Sequence, residues 1–121
     1  MKRIAIVGSR EWADWRAVHR VIADLPLDVE IVTGGARGVD RWAECAGRKR
    51  GLRVTVIRPD YSSTGRRAPL VRNAEIAAVS QEMIAFWDGV STGTAHAIWC
   101  MERLQKPVTI IGAMEGSTHV G

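Results

Sequence analysis

The chain has 121 residues, of which 46% are hydrophobic and 25% are charged. This length and composition are typical of a single folded domain, and they exclude a disordered or fibrous chain. The formal net charge of +4 and the isoelectric point near 9.7 favour anionic partners, such as nucleotides and nucleic acids, without choosing among them.

The sequence carries no recognisable targeting or metal-binding signal. No apolar run approaches the roughly 18 residues that a membrane span needs, and the start MKRIAIVGSR has no signal-peptide cleavage region. We therefore expect a cytoplasmic protein with no membrane partner. The cysteines and histidines form no recognisable metal-binding motif, so we expect no metal and no required cofactor beyond the ligand itself.

Five short runs rich in valine and isoleucine predict buried β-strands. Residues with helical spacing lie between them, such as Trp15, Val18 and Ile22 after the first run. This alternation predicts a Rossmann-like, doubly wound α/β fold, with a five-stranded parallel sheet and helices on both faces. We expect one domain over 1–113 and a flexible polar tail over 114–121. The runs are KRIAIVG (2–8), VEIVTG (29–34), RVTVIRP (53–59), EMIAFWD (82–88) and PVTII (107–111).

A doubly wound sheet binds ligands at the carboxyl ends of its strands, so binding residues are expected in the connections that follow strands. The first connection carries Gly8, Ser9 and Arg10. Its single glycine departs from the G-x-G-x-x-G pattern, which argues against a dinucleotide dehydrogenase. Ser9 and Arg10 are candidate ligand contacts, as a neutral donor and an anion clamp; alternatively, they cap or solvate the first helix.

The segment TGGARGVD at 33–40 follows the second strand and is the strongest phosphate-binding signal. Its three glycines leave the backbone uncovered, and a helix beginning near Ala36 or Gly38 offers unpaired N–H groups and a partial positive charge. The alternative is a tight turn in which Asp40 only complements the helix dipole. The candidate ligand residues here are Gly34, Gly35, Arg37, Gly38 and Asp40.

The connection after the fourth strand, at 88–94, is a second candidate anion site ahead of a helix. Its glycines allow close backbone approach and its hydroxyl groups offer donors, although helix capping by Ser91 or Thr92 explains the same pattern. The candidate ligand residues are Asp88, Gly89, Ser91, Thr92, Gly93 and Thr94.

The connection YSSTGRRAPLVRN at 61–73 is long for an α/β protein, and long loops in compact domains are often functional. Arg72 and Asn73 lie at the start of a predicted helix, and both are candidate ligand residues. A solvated basic loop is the alternative interpretation, chiefly for Arg66 and Arg67.

Four motifs in order resemble the SLOG superfamily, in particular its small standalone proteins of the YspA and cpYpsA-related branch, over nearly the whole chain. The motifs are IVGSREW (6–12), TGGARGVDRWA (33–43), STGRRAPLVRN (63–73) and AFWDGVSTGTA (85–95). The resemblance implies a sheet of order 3-2-1-4-5, a pocket for a nucleotide or nucleotide-derived molecule, and a homo-oligomer.

Members of this superfamily use the pocket for different purposes. They include Lonely-guy phosphoribohydrolases, which cleave nucleoside monophosphates, the DNA-processing protein DprA, and nucleotide sensors. The hydrolases carry a glutamate where this chain has Ala97, while Arg72 matches their arginine. The candidates to replace that glutamate as a catalytic group are Asp88, Asp40 and His96.

Three functional hypotheses remain open at this point. The leading one is binding of a nucleotide or nucleotide-derived ligand, as in a sensor or a sequestering module. The second is hydrolysis of the N-glycosidic bond of nucleoside 5′-monophosphates. The third is DprA-like binding of single-stranded nucleic acid, which a basic surface would favour.

Overall fold

The computed structural model describes residues 1–112 and 118–120, which form six strands and five α-helices. The strands are β1 (Lys2–Gly8), β2 (Val29–Thr33), β3 (Arg53–Val56), β4 (Glu82–Trp87), β5 (Val108–Gly112) and β6 (Thr118–Val120). The helices are α1 (Trp15–Asp24), α2 (Val39–Lys49), α3 (Tyr61–Thr64), α4 (Ala68–Val79) and α5 (Thr92–Arg103). None of these helices is long and apolar enough to cross a bilayer.

The strands form one sheet in the order β3-β2-β1-β4-β5-β6. The first five are parallel, and β1 lies at the centre, with Ile4 beside Ile31 of β2 and Ile6 beside Ile84 of β4. The predicted doubly wound α/β fold and the strand order 3-2-1-4-5 are therefore confirmed. Because β1 pairs with both β2 and β4, the strand order reverses at β1 and β4, which makes their carboxyl ends the switch point.

The sheet has one strand more than predicted. β6 pairs antiparallel with β5, with Thr118 opposite Ile111. This strand lies inside the range 114–121 that the sequence predicts as a flexible tail. The other residues of that range, 114–117 and 121, lie outside the described residues.

Residues 61–67 are helical rather than an open loop, and α4 begins at Ala68, close to the predicted helix start near Pro69. Asp60 caps α3 by accepting a hydrogen bond from the Ser63 N–H at 3.3 Å, and a 3₁₀ turn at Gly65–Arg67 follows. α4 then begins with Pro69 in its first turn, where a missing N–H costs nothing. Capping by Asp60 thus makes residues 61–67 helical although their sequence has no clear periodicity, and Pro69 fits the first turn of the predicted helix.

Alternate residues of β1 enter two cores on opposite faces of the sheet. Ile4 and Ile6 pack with residues of α1 and α2, whereas Ala5 and Val7 pack with residues of α4 and α5. Burial of both faces explains why β1 is an almost continuous apolar run. The two layers of helices leave the carboxyl ends of β1 and β4 open between them.

Gly8, the last residue of β1, marks a close approach of the sheet to α2. A Cβ atom at this position would lie 2.6 Å from Cγ2 of Val39, which is fully buried. Val39 is the first residue of α2, so this contact sets where the helix begins relative to the end of β1. Close packing therefore requires glycine at position 8.

We expect Gly8→Ala to lower the free energy of unfolding by about 1–3 kcal/mol, because the added methyl group overpacks the contact. Combining it with Val39→Ala removes the two methyl groups at 2.6 and 2.8 Å from the new Cβ and relieves part of the overpacking, although the Cβ of residue 39, at 2.7 Å, remains. The double variant should therefore be more stable than the sum of the two single effects. Urea unfolding of the four proteins measures this coupling, and strictly additive effects would contradict the contact.

Candidate functional site

A crevice of about 450 Å³, here called the main lobe, opens at the carboxyl ends of β1 and β4. Four segments of the chain meet there, as expected at the switch point of a doubly wound sheet. They contribute Val7, Gly8, Ser9, Arg10 and Glu11 after or within β1; Gly34, Ala36 and Asp40 after β2; Pro69, Leu70, Arg72, Asn73 and Ile76 of α4; and Ser91, Thr92, Gly93, Thr94 and Ala97 around the start of α5.

The Asp40 carboxylate organises the glycine-rich loop after β2. Its Oδ2 accepts hydrogen bonds from the backbone N–H groups of Gly34, at 3.1 Å, and Ala36, at 3.3 Å. These amides belong to the segment predicted to cradle a phosphate, and they are already occupied by a carboxylate of the same chain. Asp40 thus acts as an internal anion that holds the loop in shape.

The first two glycines of this loop are each in close contact with the guanidinium group of an arginine. A Cβ at Gly34 would lie 2.6 Å from Nη1 of Arg72, and that nitrogen donates to the Gly34 carbonyl at 2.5 Å. A Cβ at Gly35 would lie 2.7 Å from Nη1 of Arg58, which donates to the Gly35 carbonyl at 3.3 Å. Gly35 also has a φ of +75°, which favours glycine. The loop therefore presents carbonyl groups to cations.

Burial of the Asp40 side chain has an electrostatic consequence. Burial raises the pKa of its carboxyl to about 6 from 3.8, although hydrogen bonds from the loop and the nearby Arg72 guanidinium oppose the shift. Burial also lowers the pKa of Arg72, and the Asp40 carboxylate partly offsets that effect. The two groups thus form a coupled pair beneath the main lobe.

Arg72 and its neighbour Asn73 connect three walls of the crevice. Arg72 donates to Gly34 and, through Nε, to Oδ1 of Asn73 at 2.9 Å. The Asn73 amide donates in turn to the Gly93 carbonyl at 3.2 Å and to Nδ1 of His96 at 3.1 Å. This network joins the β2 connection to α4 and to α5, so Asn73, which is buried, has a structural partner for its whole side chain.

His96 lies in the contact between α4 and α5 and outside the residues that line the main lobe. Its Nδ1 accepts from Asn73, its ring stacks on Trp99 at a centroid distance of 5.7 Å, and burial lowers its pKa. A neutral imidazole held between two helices does not face the pocket. The structure therefore gives the predicted catalytic candidate His96 a packing role.

Asp88 shapes the turn that leads into α5. Its carboxylate accepts from the N–H of Val90 at 2.9 Å and from the N–H and Oγ of Ser91, each at 2.7 Å. Burial opposes ionisation, but these hydrogen bonds outweigh it and lower the pKa of Asp88 to about 2. Gly89, with a φ of +85°, completes the turn. Neither Asp88 nor Gly89 lines the main lobe.

In the described part of the chain, the start of α5 leaves backbone N–H groups without a hydrogen-bond acceptor. The first intrahelical bond joins the Ala95 N–H to the Ser91 carbonyl, and within the part of the chain that the structure describes, the N–H groups of Thr92, Gly93 and Thr94 have no acceptor. All three residues line the main lobe. The helix dipole adds a partial positive charge there.

Ser9 ties the first strand to this helix start. Its buried hydroxyl oxygen accepts from the Asp88 N–H at 3.3 Å and lies 3.5 Å from Oγ1 of Thr94. The backbone N–H of Ser9 donates to the Phe86 carbonyl of β4 at 2.9 Å. Ser9 thus fixes the distance between the β1 end and the α5 N-terminus.

Most of the predicted ligand residues converge on the main lobe, but some do not. Arg37 lies at the surface, 3.7 Å from the exposed Glu11 carboxylate, and Gly38 packs above the Arg10 carbonyl. The predicted residues that line the main lobe are Gly8, Ser9, Arg10, Gly34, Asp40, Arg72, Asn73, Ser91, Thr92, Gly93 and Thr94. Those outside its lining are Gly35, Arg37, Gly38, Asp88, Gly89 and His96.

Sequence reasoning missed the apolar wall of the main lobe. It is formed by Val7, Pro69, Leu70 and Ile76, beside Ala97 of α5. Pro69 and Ile76 have the i, i+3, i+4 and i+7 spacing that puts them on one helical face with Arg72 and Asn73, a signal that the sequence does contain. Within residues 1–112 and 118–120, no three His, Cys, Asp or Glu side chains cluster as metal ligands would.

We expect Asp40→Asn to change how stability depends on pH. Because the folded-state pKa of about 6 lies above the ordinary 3.8, the folded state holds a proton between these values that the unfolded state has lost. The wild type should therefore lose up to about 3 kcal/mol of stability as pH rises from 4 to 6, whereas the variant, whose amide oxygen still accepts from the loop, should lose none through this group.

Urea unfolding of both proteins at several pH values between 3.5 and 7 tests this effect. The difference between the two free energies of unfolding isolates Asp40, because the other carboxylates are common to both proteins. Parallel curves across this range would show that Asp40 has no raised pKa in the folded protein.

Comparisons with known proteins agree with this architecture. The described fold is similar to DNA processing protein A (DprA) from Streptococcus pneumoniae, with a TM-score of 0.78 and 20% identity over 91% of this chain and 50% of that one. DprA from Helicobacter pylori, which is described as binding single-stranded DNA, gives a TM-score of 0.75 at 20% identity, over 90% of this chain and 64% of that one. The chain thus spans about half to two thirds of the length of these proteins.

The structural-genomics target TM1055 has a TM-score of 0.71 and 21% identity over 89% of this chain and 72% of that one. At these identities, the three structures establish the fold alone. The Gene 61 protein of Mycobacterium phage D29 is 38% identical over 117 residues, which cover 88% of this chain and 90% of the phage protein. Residues 2–63 match the model of the YspA, cpYpsA-related SLOG family, and the chain is a member of that family.

Proposed function

We propose that this protein binds a nucleotide or nucleotide-derived ligand in the main lobe, with the phosphate at the start of α5. Family membership supports a nucleotide-related or nucleic-acid-binding function in general. The volume of about 450 Å³ falls within the range of small-molecule pockets and favours a ligand of mononucleotide size.

The open N-terminus of α5 is the observation that carries this proposal. The amides of Thr92, Gly93 and Thr94 point at no acceptor among the described residues, while the glycine-loop amides are bound to Asp40. Anions are stabilised at such a helix end by hydrogen bonds and by the dipole. The phosphate is therefore assigned to the α5 end rather than to the loop after β2.

Two further features of the main lobe suit a nucleotide. Arg10 and Arg72 line it, and each offers a guanidinium group for charge-assisted hydrogen bonds to a phosphate. The apolar wall that includes Val7, Leu70 and Ile76 offers a dry surface for a base or a ribose face. The lobe thus combines a polar end and an apolar wall.

Gly93→Asp should abolish binding without harming the fold. The position has open space around it, since a Cβ placed there would meet no atom within 4 Å, and an acidic residue in the first turn of a helix is stabilising. The carboxylate would, however, repel a phosphate from the amides. Calorimetry with nucleoside monophosphates, diphosphates and cyclic nucleotides should show an affinity loss of at least about tenfold, with an unchanged or raised melting temperature.

Gly93→Asn is the matched control, since asparagine has nearly the same shape as aspartate without the charge. We expect it to retain affinity within a fewfold of the wild type. If Gly93→Asp and the wild type bound every nucleotide with equal affinity, the assignment of the phosphate to the start of α5 would be wrong.

In this proposal, the protein binds the nucleotide and does not cleave its N-glycosidic bond. Asp88 and His96 lie outside the main lobe, and Oδ2 of Asp40 holds two loop amides, so we assign a role in cleavage to none of these three residues. Incubation with nucleoside 5′-monophosphates should therefore release no free base above background. Base release by the wild type, absent in the Gly93→Asp variant, would assign the hydrolase function instead.

A further inference from the structure

A second cavity of about 290 Å³, here called the side lobe, lies beside the main lobe. The two lobes share five lining residues: Arg10, Gly34, Ala36, Pro69 and Arg72. The side lobe extends toward the connection after β3, from which Arg58 and Tyr61 contribute to its wall. The two lobes are therefore adjacent, with Arg10 and Arg72 lining both.

The side lobe is lined by cations and by no carboxylate. Three guanidinium groups, from Arg10, Arg58 and Arg72, contribute to its wall together with the Tyr61 ring. Within residues 1–112 and 118–120, neither Arg10 nor Arg58 has a carboxylate oxygen within 4 Å. By contrast, Arg37 and Arg48 have glutamate partners at the surface. In this part of the chain, the buried Asp40 carboxylate offsets the charge of Arg72, whereas Arg10 and Arg58 have no acidic partner within 4 Å.

Two of these arginines are held in place by the glycine loop. Arg72 donates to the Gly34 carbonyl and Arg58 to the Gly35 carbonyl, and either glycine would clash with its guanidinium group if it carried a side chain. Arg58 uses one of its five N–H donors in this way, and Arg72 uses two, because its Nε also donates to Oδ1 of Asn73. The remaining donors are available to an oxyanion, and little ordering entropy is lost when it binds.

We propose that the side lobe binds a second phosphoryl group of the ligand, between Arg58, Arg10 and Arg72. This inference rests on the proposed function and narrows it: the ligand is a nucleotide with two phosphoryl groups, one at the α5 end and one in the side lobe. Arg10 and Arg72 stand between the two sites and contact both groups. A guanidinium group is suited to this role because it recognises phosphate through two parallel hydrogen bonds.

The test compares the affinities of ligands that differ by one phosphate. It uses the wild type and Arg58→Gln, which differ by one positive charge. Nucleoside 5′-monophosphates are titrated by calorimetry against the corresponding 5′-diphosphates and 3′,5′-bisphosphates. With the wild type, one of the two-phosphate ligands should bind at least about tenfold more tightly than its monophosphate. In Arg58→Gln that affinity ratio should fall about tenfold, because a charge-assisted hydrogen bond is lost.

Arg53→Gln is the matched control. It removes the same charge from the same region of the chain, but Arg53 begins β3 and lies at the opposite end of that strand from the side lobe. We expect it to leave the affinity ratio unchanged. Melting temperatures of both variants show that the fold is retained, since Arg53 and Arg58 are both exposed.

The outcomes separate this inference from the proposed function. Binding of monophosphates with no gain from a second phosphate, or an equal affinity ratio in Arg58→Gln and the wild type, overturns the side-lobe assignment and leaves nucleotide binding intact. Equal losses in Arg58→Gln and Arg53→Gln indicate long-range charge alone and also overturn it. Failure of every nucleotide to bind the wild type removes the proposed function and this inference together.

Discussion

The hydrogen bonds from the Gly34 and Ala36 amides to the buried Asp40 carboxylate are the constraint on which the rest of the site depends. By turning the loop amides inward, they turn the loop carbonyls toward Arg72 and Arg58. A segment that resembles a phosphate cradle thereby becomes a support for guanidinium groups. In the proposed site, Arg58 and Arg72 would offer side-chain cations beside this loop, and the start of α5 would offer backbone amides.

The energetics of the buried Asp40 carboxylate and of Arg72 are linked. An ionised aspartate in a buried position is costly, and its raised pKa reflects that cost. Hydrogen bonds from two amides and the field of Arg72 offset part of it, and Arg72 in turn remains charged although half-buried. The pair holds a cation at the pocket wall that would otherwise prefer water.

Much of the fold follows from sequence patterns, because buried parallel strands are apolar on both faces and end in glycine or polar residues. The location of Arg72 in the crevice could also be predicted, since this residue lies in the first turns of a helix whose predicted start is near Pro69, after the third strand. The directions in which the Asp40 and His96 side chains point could not be predicted from the sequence. Asp40 lies on the first turn of α2, which begins at Val39, and its orientation depends on a loop whose shape it helps to determine. His96 faces Asn73 of another helix, a contact that only tertiary packing creates.

Arg72 and Asn73 are adjacent in the chain and bond to opposite walls, one to the Gly34 carbonyl and the other to the Gly93 carbonyl. Together they bridge the two walls. The length of this bridge is set by the covalent geometry of the dipeptide and by the hydrogen bond between the two side chains. The gap between the glycine loop and α5 is consequently a fixed dimension. For the proposed ligand, the width of the pocket would therefore depend on this dipeptide, which bonds to both walls.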